Sequence, residues 1–490
     1  MKLLDLNDDA LYLVLDLLRQ PELRNLAATC NAAHDLASPY VYRRVKLDGI
    51  RKLLTFNDFI HSAGGARWRH TIRSLTVDVR RDFWSKDIDI YHNTQALARI
   101  LRSAPNLVHL DLFEEGTWLT NALYLADALV HGMPNLISLS LSVSEAALRL
   151  LHRLRQPLRR VRLDERTPWI PPRTPSSDAR TLIELACLSS TLTAITIDLS
   201  CLTCSPLPTF PHVRSLSVSA KFPHTSVDWT LVRRAFPDLR ELAVEGYHPT
   251  RASELEEHLQ QQQLSQDSSQ IPWLMVFQGS WEGFTQIRGL GHIEELHLTT
   301  VPSSDALVEA MEKLSPTLLS LDAPLLEWPK DTLSKLIDAV PTLKCVCVDT
   351  LAEKNHDSLV QELDLLRDTD VALLHVQCSK SRWEAAVASS YPDAVDAFEC
   401  YAATVRRSVP RLRRLALSIE GLDKHGPVAW QSDPDSEVRR PSSAASFRRI
   451  PDKEGQAWRA DLMQQFSPLA QRHTQHLELF LGPRRPSTGA

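Results

Sequence analysis

Along most of the chain the apolar positions fall into one short phrase: apolar, two variable residues, apolar, one variable residue, apolar. A Pro often stands just before it. Pro105-Asn106-Leu107-Val108-His109-Leu110-Asp111-Leu112 is one copy, and Pro134-Asn135-Leu136-Ile137-Ser138-Leu139-Ser140-Leu141 is the next. The last two apolar residues alternate with polar ones, so they share one face of a short strand, while the first packs in the preceding turn. Further copies are Ile72/Leu75/Val77, Leu158/Val161/Leu163, Leu192/Ile195/Ile197, Val213/Leu216/Val218 and Leu239/Leu242/Val244. The series continues at Ile293/Leu296/Leu298, Leu318/Leu321/Ala323, Leu343/Val346/Val348 and Leu412/Leu415/Leu417, with weaker copies at Val371/Leu374/Val376 and Leu477/Leu479.

Between the phrases the period changes to that of a helix. In Asn93 to Ala104, Leu97, Ile100 and Leu101 form one stripe, and Pro105 stops the helix. Ser304 to Leu314 and Lys330 to Val340 read the same way. A unit of strand, turn and helix is too small to bury its own apolar face and must stack on its neighbours. Leu110 to Leu139 spans 29 residues, and Leu296 to Leu321 and Leu321 to Val346 span 25 each, inside the 20–29 residue period of leucine-rich repeats. The fold expected is an α/β solenoid, an irregular leucine-rich-repeat horseshoe. Common repeats carry Asn or Cys at a fixed turn position; here Ser144, Ser200 and Tyr247 are among its occupants, so the turns lack an Asn ladder.

Residues 1–48 have a different rhythm. Asn7 or Asp8 can cap a helix through Leu11, Val14, Leu15 and Leu18. Pro21 starts a second helix with Leu23, Leu26, Ala27 and Cys30, and a third runs from Ala33 and ends near Pro39. Tyr42-Arg43-Arg44-Val45 then leads into a strand. With Leu6, Asp8, Asp9, Val14, Leu15, Leu18, Leu26 and Cys30 in step, this stretch resembles an F-box, and its exit is similar to that of fungal F-box proteins. Asn7 stands where that family has Pro, and Ala10 where it has Leu. The resemblance implies a small all-α module that docks a Skp-family adaptor, and through it a cullin, by Leu6, Asn7, Ala10, Leu11, Val14, Leu15, Leu18, Leu26 and Cys30. It further implies the substrate-recognition subunit of an SCF-type ubiquitin ligase. The alternative is a repeat scaffold or inhibitor whose N-terminal helices only cap the array.

Composition narrows the remaining choices. A net charge of −5 and a pI near 6.4 give no general affinity for nucleic acid or anionic membranes. Gly is scarce at 15 residues, and neither a P-loop nor a dinucleotide-binding glycine motif is present. Eight scattered Cys do not make a disulfide framework, and Cys201-x-x-Cys204 has no second pair to complete a zinc site. No membrane span, cofactor or catalytic residue is expected, and the location expected is cytoplasmic or nuclear.

Residues 49–482 are then the repeat array. Insertions are expected near 251–270 and 423–455, the latter as a flexible loop, and 483–490 as a disordered tail. A target protein, unidentified by the sequence, would meet the strand positions flanking the inner apolar pair. The candidates are Arg160 and Arg162, and the acidic Glu241, Glu245 and Glu295 with His297. The acidic group would suit a cationic partner segment.

Overall fold

In the computed structural model the described residues are 7, 11–12, 14–15, 18, 20–79, 90–113, 117–164, 181–203, 206–219, 227, 229–245, 274–281, 284, 287, 292–300, 304–324, 332–343, 345–349, 373–379, 414–420, 428–432 and 447–450. The chain divides into two compact units, Met1–Leu239 and Arg240–Ala490. Candidate positions Leu6 and Ala10, the 251–270 insertion, the 483–490 tail and the phrase at Leu477/Leu479 lie outside the described residues.

The first unit opens with helices. Leu11, Tyr12, Val14 and Leu15 are helical, followed by α1 (Gln20–Ala27) and α2 (Asn31–Val41). Leu11, Leu15, Leu23 and Ala37 close a small core of their own, with Leu18, Leu26, Leu36, Tyr40 and Val41 packed partly against it. α2 runs past Pro39 rather than stopping there, because a Pro in the last turn removes only one bond; Tyr42 N–H still donates to Ser38 O at 3.1 Å.

Seven parallel strands follow in sequence order: β1 (Arg44–Asp48), β2 (Ser74–Asp78), β3 (His109–Phe113), β4 (Ser138–Ser142), β5 (Arg160–Asp164), β6 (Ala194–Asp198) and β7 (Ser215–Ser219). β1 therefore belongs to the sheet, and the array begins before residue 49. Helices return the chain between strands: α3 (Ile50–His61), α4 (Ile90–Ser103), α5 (Thr117–Asn121), α6 (Leu123–His131), α7 (Glu145–Arg153) and α8 (Trp229–Ala235). α7 is representative. The Ser144 hydroxyl accepts from Ala147 N–H at 3.0 Å, His152 and Arg153 complement the dipole at the other end, and Leu148, Leu150 and Leu151 are buried.

The alternation sets the register. Val45, Leu75, Leu110, Leu139, Val161, Ile195 and Leu216 lie opposite one another in turn, all buried. At the entries of β2 to β7 two successive N–H groups donate to one carbonyl of the preceding repeat. Val108 and His109 share Arg73 O, Ile137 and Ser138 share Val108 O, and Arg159 and Arg160 share Ile137 O. Side chains add a second rung at the same end: Asn106 Nδ2 donates to His70 O at 2.9 Å and Asn135 Nδ2 to Pro105 O at 3.1 Å. The polar ladder missing from the strand exits is thus found at the entries, which keeps the turn carbonyls paired.

The second unit repeats the plan with more interruptions. Strands β8 (Glu241–Glu245), β9 (Val276–Gly279), β10 (Glu295–Leu298), β11 (Leu318–Pro324), β12 (Cys345–Asp349), β13 (Leu373–Ser379) and β14 (Arg414–Glu420) pair in parallel. Helices α9 (Ser304–Leu314) and α10 (Thr332–Ala339) match the sequence reading closely. β9 was not expected. The register of β11 also differs from the sequence phrase: Leu296 faces Leu319, and Leu319 faces Val346. The inner pair is Leu319/Leu321 and not Leu321/Ala323, because a shift by two keeps the alternation and the Leu318-Leu319 doublet fits both. A register shift between Leu321 and Pro324 then absorbs the difference. Within 423–455, read as a flexible loop, lie β15 (Val428–Ser432), which pairs antiparallel with β14, and β16 (Phe447–Ile450), which pairs antiparallel with β15. Each unit is an α/β solenoid built on adjacent parallel strands.

Candidate functional site

The sheet face of the first unit carries three rows of side chains that alternate with the buried pair. Arg44, Ser74, His109, Ser138 and Arg160 form the row nearest the strand entries. Lys46, Thr76, Asp111, Ser140 and Arg162 form the middle row. Asp48, Asp78 and Phe113 begin the row at the exits, and Asp164 and Asp198 end β5 and β6.

Asp111 organises the middle row. Its Oδ2 accepts from Thr76 Oγ1 at 3.0 Å and its Oδ1 from Ser140 Oγ at 2.6 Å, so one carboxylate joins β2, β3 and β4. Asp198 closes the last turn by accepting from Ser200 N–H at 3.0 Å and Ser200 Oγ at 2.7 Å. His109, beside these rows, is held below the ordinary imidazole pKa. Burial is the main cause, the positive charges of Arg160 and Arg44 add to it, and the Asp111 carboxylate opposes it.

The predicted target-binding residues divide. Arg160 and His297 stay partly exposed. Arg162 does not: its guanidinium stands 3.7 Å from the Asp164 carboxylate and 5.9 Å from the centre of the Phe113 ring, and its side chain is only 9% exposed. Glu241 and Glu295 are buried as well, at 6% and 2%. The expected acidic patch at these two residues is therefore corrected. They occupy the entry positions of β8 and β10, with Val276 and Leu318 at those of β9 and β11 also buried, so the row is closed to water at these four strands. Glu245 ends β8. Glu295 Oε2 has no hydrogen bond, and His297 Nε2 stands 3.6 Å from it.

The predicted adaptor-binding residues also divide. Leu11 and Leu15 are 6% and 0% exposed inside the module's own core, where their spacing of four residues turns both toward Leu23 and Ala37. Val14, Leu18 and Leu26 are half-buried, while Asn7 and Cys30 are exposed. The structure adds Tyr12, which is 50% exposed one residue off the buried stripe. Gln20 ties the module to the first strand, its Nε2 donating to Arg44 O at 2.8 Å, and the Tyr42 ring stacks on Phe59 at 5.3 Å and Trp68 at 5.4 Å.

Among the described residues no cluster of three or more His, Cys, Asp or Glu has the arrangement to hold a metal ion. Cys201 is buried, and Cys204 lies outside the described residues. No helix among them is long and apolar enough to cross a membrane.

In sequence comparisons no protein family matches the chain, and no curated protein matches it significantly. Among solved structures it is similar to LegL7, a leucine-rich repeat-containing protein from Legionella pneumophila. The identity is 12% and the TM-score 0.33, with 77% of this chain and 91% of that chain covered. The repeat assignment made above rests on the strand register and the entry ladder.

Proposed function

We propose that the chain is a leucine-rich-repeat scaffold that serves as the substrate-recognition subunit of an SCF-type ubiquitin ligase. The helical module docks a Skp-family adaptor and through it a cullin, and the repeats hold a target protein. The chain then needs no catalytic group, since it acts by holding two reactants together at high effective concentration. One observation carries the reading: the division of apolar residues in the module. Leu11, Leu15, Leu23 and Ala37 complete a core without help from the repeats, yet Val14, Leu18 and Leu26 stay partly exposed and Tyr12 is 50% exposed. A module that served only as a cap would gain by burying these side chains against the first repeat.

A second reading, a capped scaffold or inhibitor with no ligase partner, is favoured by the Tyr42 stack and the Gln20 bonds, which fasten the module to β1, to α3 and to the segment after it. Co-purification of the full chain with a Skp-family adaptor separates the two. The wild type is expected to be captured, and Tyr12→Asp/Val14→Asp to lose capture with an unchanged melting temperature. A folded wild type that captures no adaptor leaves the capped scaffold and removes the ligase inference.

A further inference from the structure

The seven strand-entry segments of the first unit, residues 40–44, 66–74, 103–109, 132–138, 154–160, 188–194 and 209–215, contain no Asp or Glu. Four of them carry arginines, and six of these stand at or next to the strand starts: Arg43 and Arg44 before and at the start of β1, Arg73 before β2, Arg159 and Arg160 at β5, and Arg214 before β7. Arg160 is partly exposed and the other five are exposed. The aspartates lie at the opposite ends of the strands, Asp48, Asp78, Asp164 and Asp198 each closing its strand. The entry segments of these strands therefore carry positive charge only, while four of the seven strands end in an aspartate.

We propose that the strand-entry edge of the first unit is a docking strip for an acidic, extended segment of a partner protein. This rests on the reading of the chain as a protein-binding scaffold and adds the chemistry of what it binds. Parallel strands stand about 4.8 Å apart, so the six steps from β1 to β7 cover about 29 Å. An extended peptide advances about 3.3 Å per residue, so about nine residues span the strip. The arginine fork matches a carboxylate in two parallel hydrogen bonds, which suits it to such a segment. His109 reports the field from within: after burial, the largest causes of its lowered pKa are Arg160 and then, beyond the opposing Asp111, Arg44, which lie at either side of it along the strip.

The observations favour a peptide over a nucleic acid. Each aspartate lies four residues beyond its strand's entry, about 13 Å away. That exceeds the Debye length of about 8 Å at physiological salt, so a narrow chain on the arginines is screened from the aspartates while a duplex would cover both. A single strand would need aromatic platforms for its bases. The rings of these segments are engaged elsewhere: Tyr42 on Trp68 and Phe59, Phe210 on Phe236, and Tyr40 against the module core.

Fluorescence anisotropy of the full chain tests this with three labelled probes of about nine units: a glutamate peptide, a glutamine peptide and single-stranded oligo-dT. The glutamate peptide is expected to bind at low salt and to weaken as salt rises. Arg73→Glu/Arg159→Glu is expected to weaken it at least about tenfold, and the single neutral changes Arg73→Gln and Arg214→Gln about two- to threefold each. Arg99→Glu/Arg149→Glu makes the same change in net charge on the exposed faces of α4 and α7; it should leave binding within about twofold. The proposal is overturned if glutamate binds no better than glutamine, if the helix variant loses as much as the edge variant, or if oligo-dT binds more tightly than glutamate. Adaptor capture by the same samples keeps the two readings apart. Capture without peptide binding removes the strip alone, and peptide binding without capture removes the ligase reading alone.

Discussion

The same strand-entry position behaves in opposite ways in the two units. In the first it carries Arg44, Ser74, His109, Ser138 and Arg160, all exposed or partly exposed. In the second it carries Glu241, Val276, Glu295 and Leu318, all buried. The backbone is equivalent in both: paired N–H groups donate to one carbonyl of the repeat before, as at Arg159 and Arg160 in one and at Glu294 and Glu295 in the other. Alternation decides which face of a strand a residue occupies. It does not decide whether that face is open to water, and so it could not tell a binding row from a closed one.

The largest expected effect tests whether both units are packed to the same standard. Phe236, in the first unit, is 0% exposed and stacks on Phe210 at 5.3 Å; Phe277, in the second, is 0% exposed with Phe284 edge-on at 5.4 Å. Phe236→Ala and Phe277→Ala should each cost about 3–5 kcal/mol in urea denaturation. A loss below about 1 kcal/mol for Phe277→Ala alone would mark the second unit as loosely packed and break the comparison.

Next come the buried or half-buried carboxylates, which the two units treat differently. Asp111→Ala removes the acceptor shared by Thr76 and Ser140 and should cost about 1–3 kcal/mol. It should also lower the His109 pKa further by NMR titration, since Asp111 is the group that raises it. Ser144→Ala, which removes the cap of α7, should cost about 1 kcal/mol. Glu295→Gln should run the other way. It exchanges a buried carboxylate with an unbonded oxygen for a neutral amide, and stability should stay level or rise by up to about 1 kcal/mol. A clear loss would mean that the Glu295 charge is held by the fold as firmly as that of Asp111.

The smallest effect is on pH dependence. A His with a lowered folded pKa binds its proton more readily in the unfolded chain. Its contribution is absent above the unfolded value near 6.5 and turns against folding as pH falls from there through the folded value. His109→Gln should therefore flatten the stability profile on the acid side of that value and leave it unchanged at higher pH. A parallel downward offset at all pH values would assign His109 to packing instead.

The regular parts of the fold were legible because one signal, the alternating pair, repeats in phase. It located the first unit's strands from β2 to β7, and the helical stripes located α4, α9 and α10. It missed β9 for a steric reason. Gly279 occupies the second inner position there, and a Cβ at that point would lie 2.9 Å from Val244 O and 3.0 Å from the Phe277 ring, so the phrase lost its last apolar residue. It misplaced β11 because Leu318 and Leu319 offer two registers of equal polarity. In the helical module, Leu11 and Leu15 follow a stripe that reads equally as a core and as a docking face, and the small core they close decides for the core. Tyr12 fell outside that stripe, so nothing in the apolar pattern singled it out. The acidic group at Glu241 and Glu295 was legible as charge but not as burial. The arginines at the strand entries were visible one by one, and came to share one edge only when the register set their segments side by side.

The central claim is that the N-terminal module is a docking site as well as a cap. Hydrogen exchange on the full chain, with and without a purified Skp-family adaptor, tests it most directly. Protection gained by the helices between Asn7 and Val41, with α3 and β2 unchanged, is the result expected. Unchanged exchange throughout the module at saturating adaptor would contradict the claim and leave the helices as a cap alone.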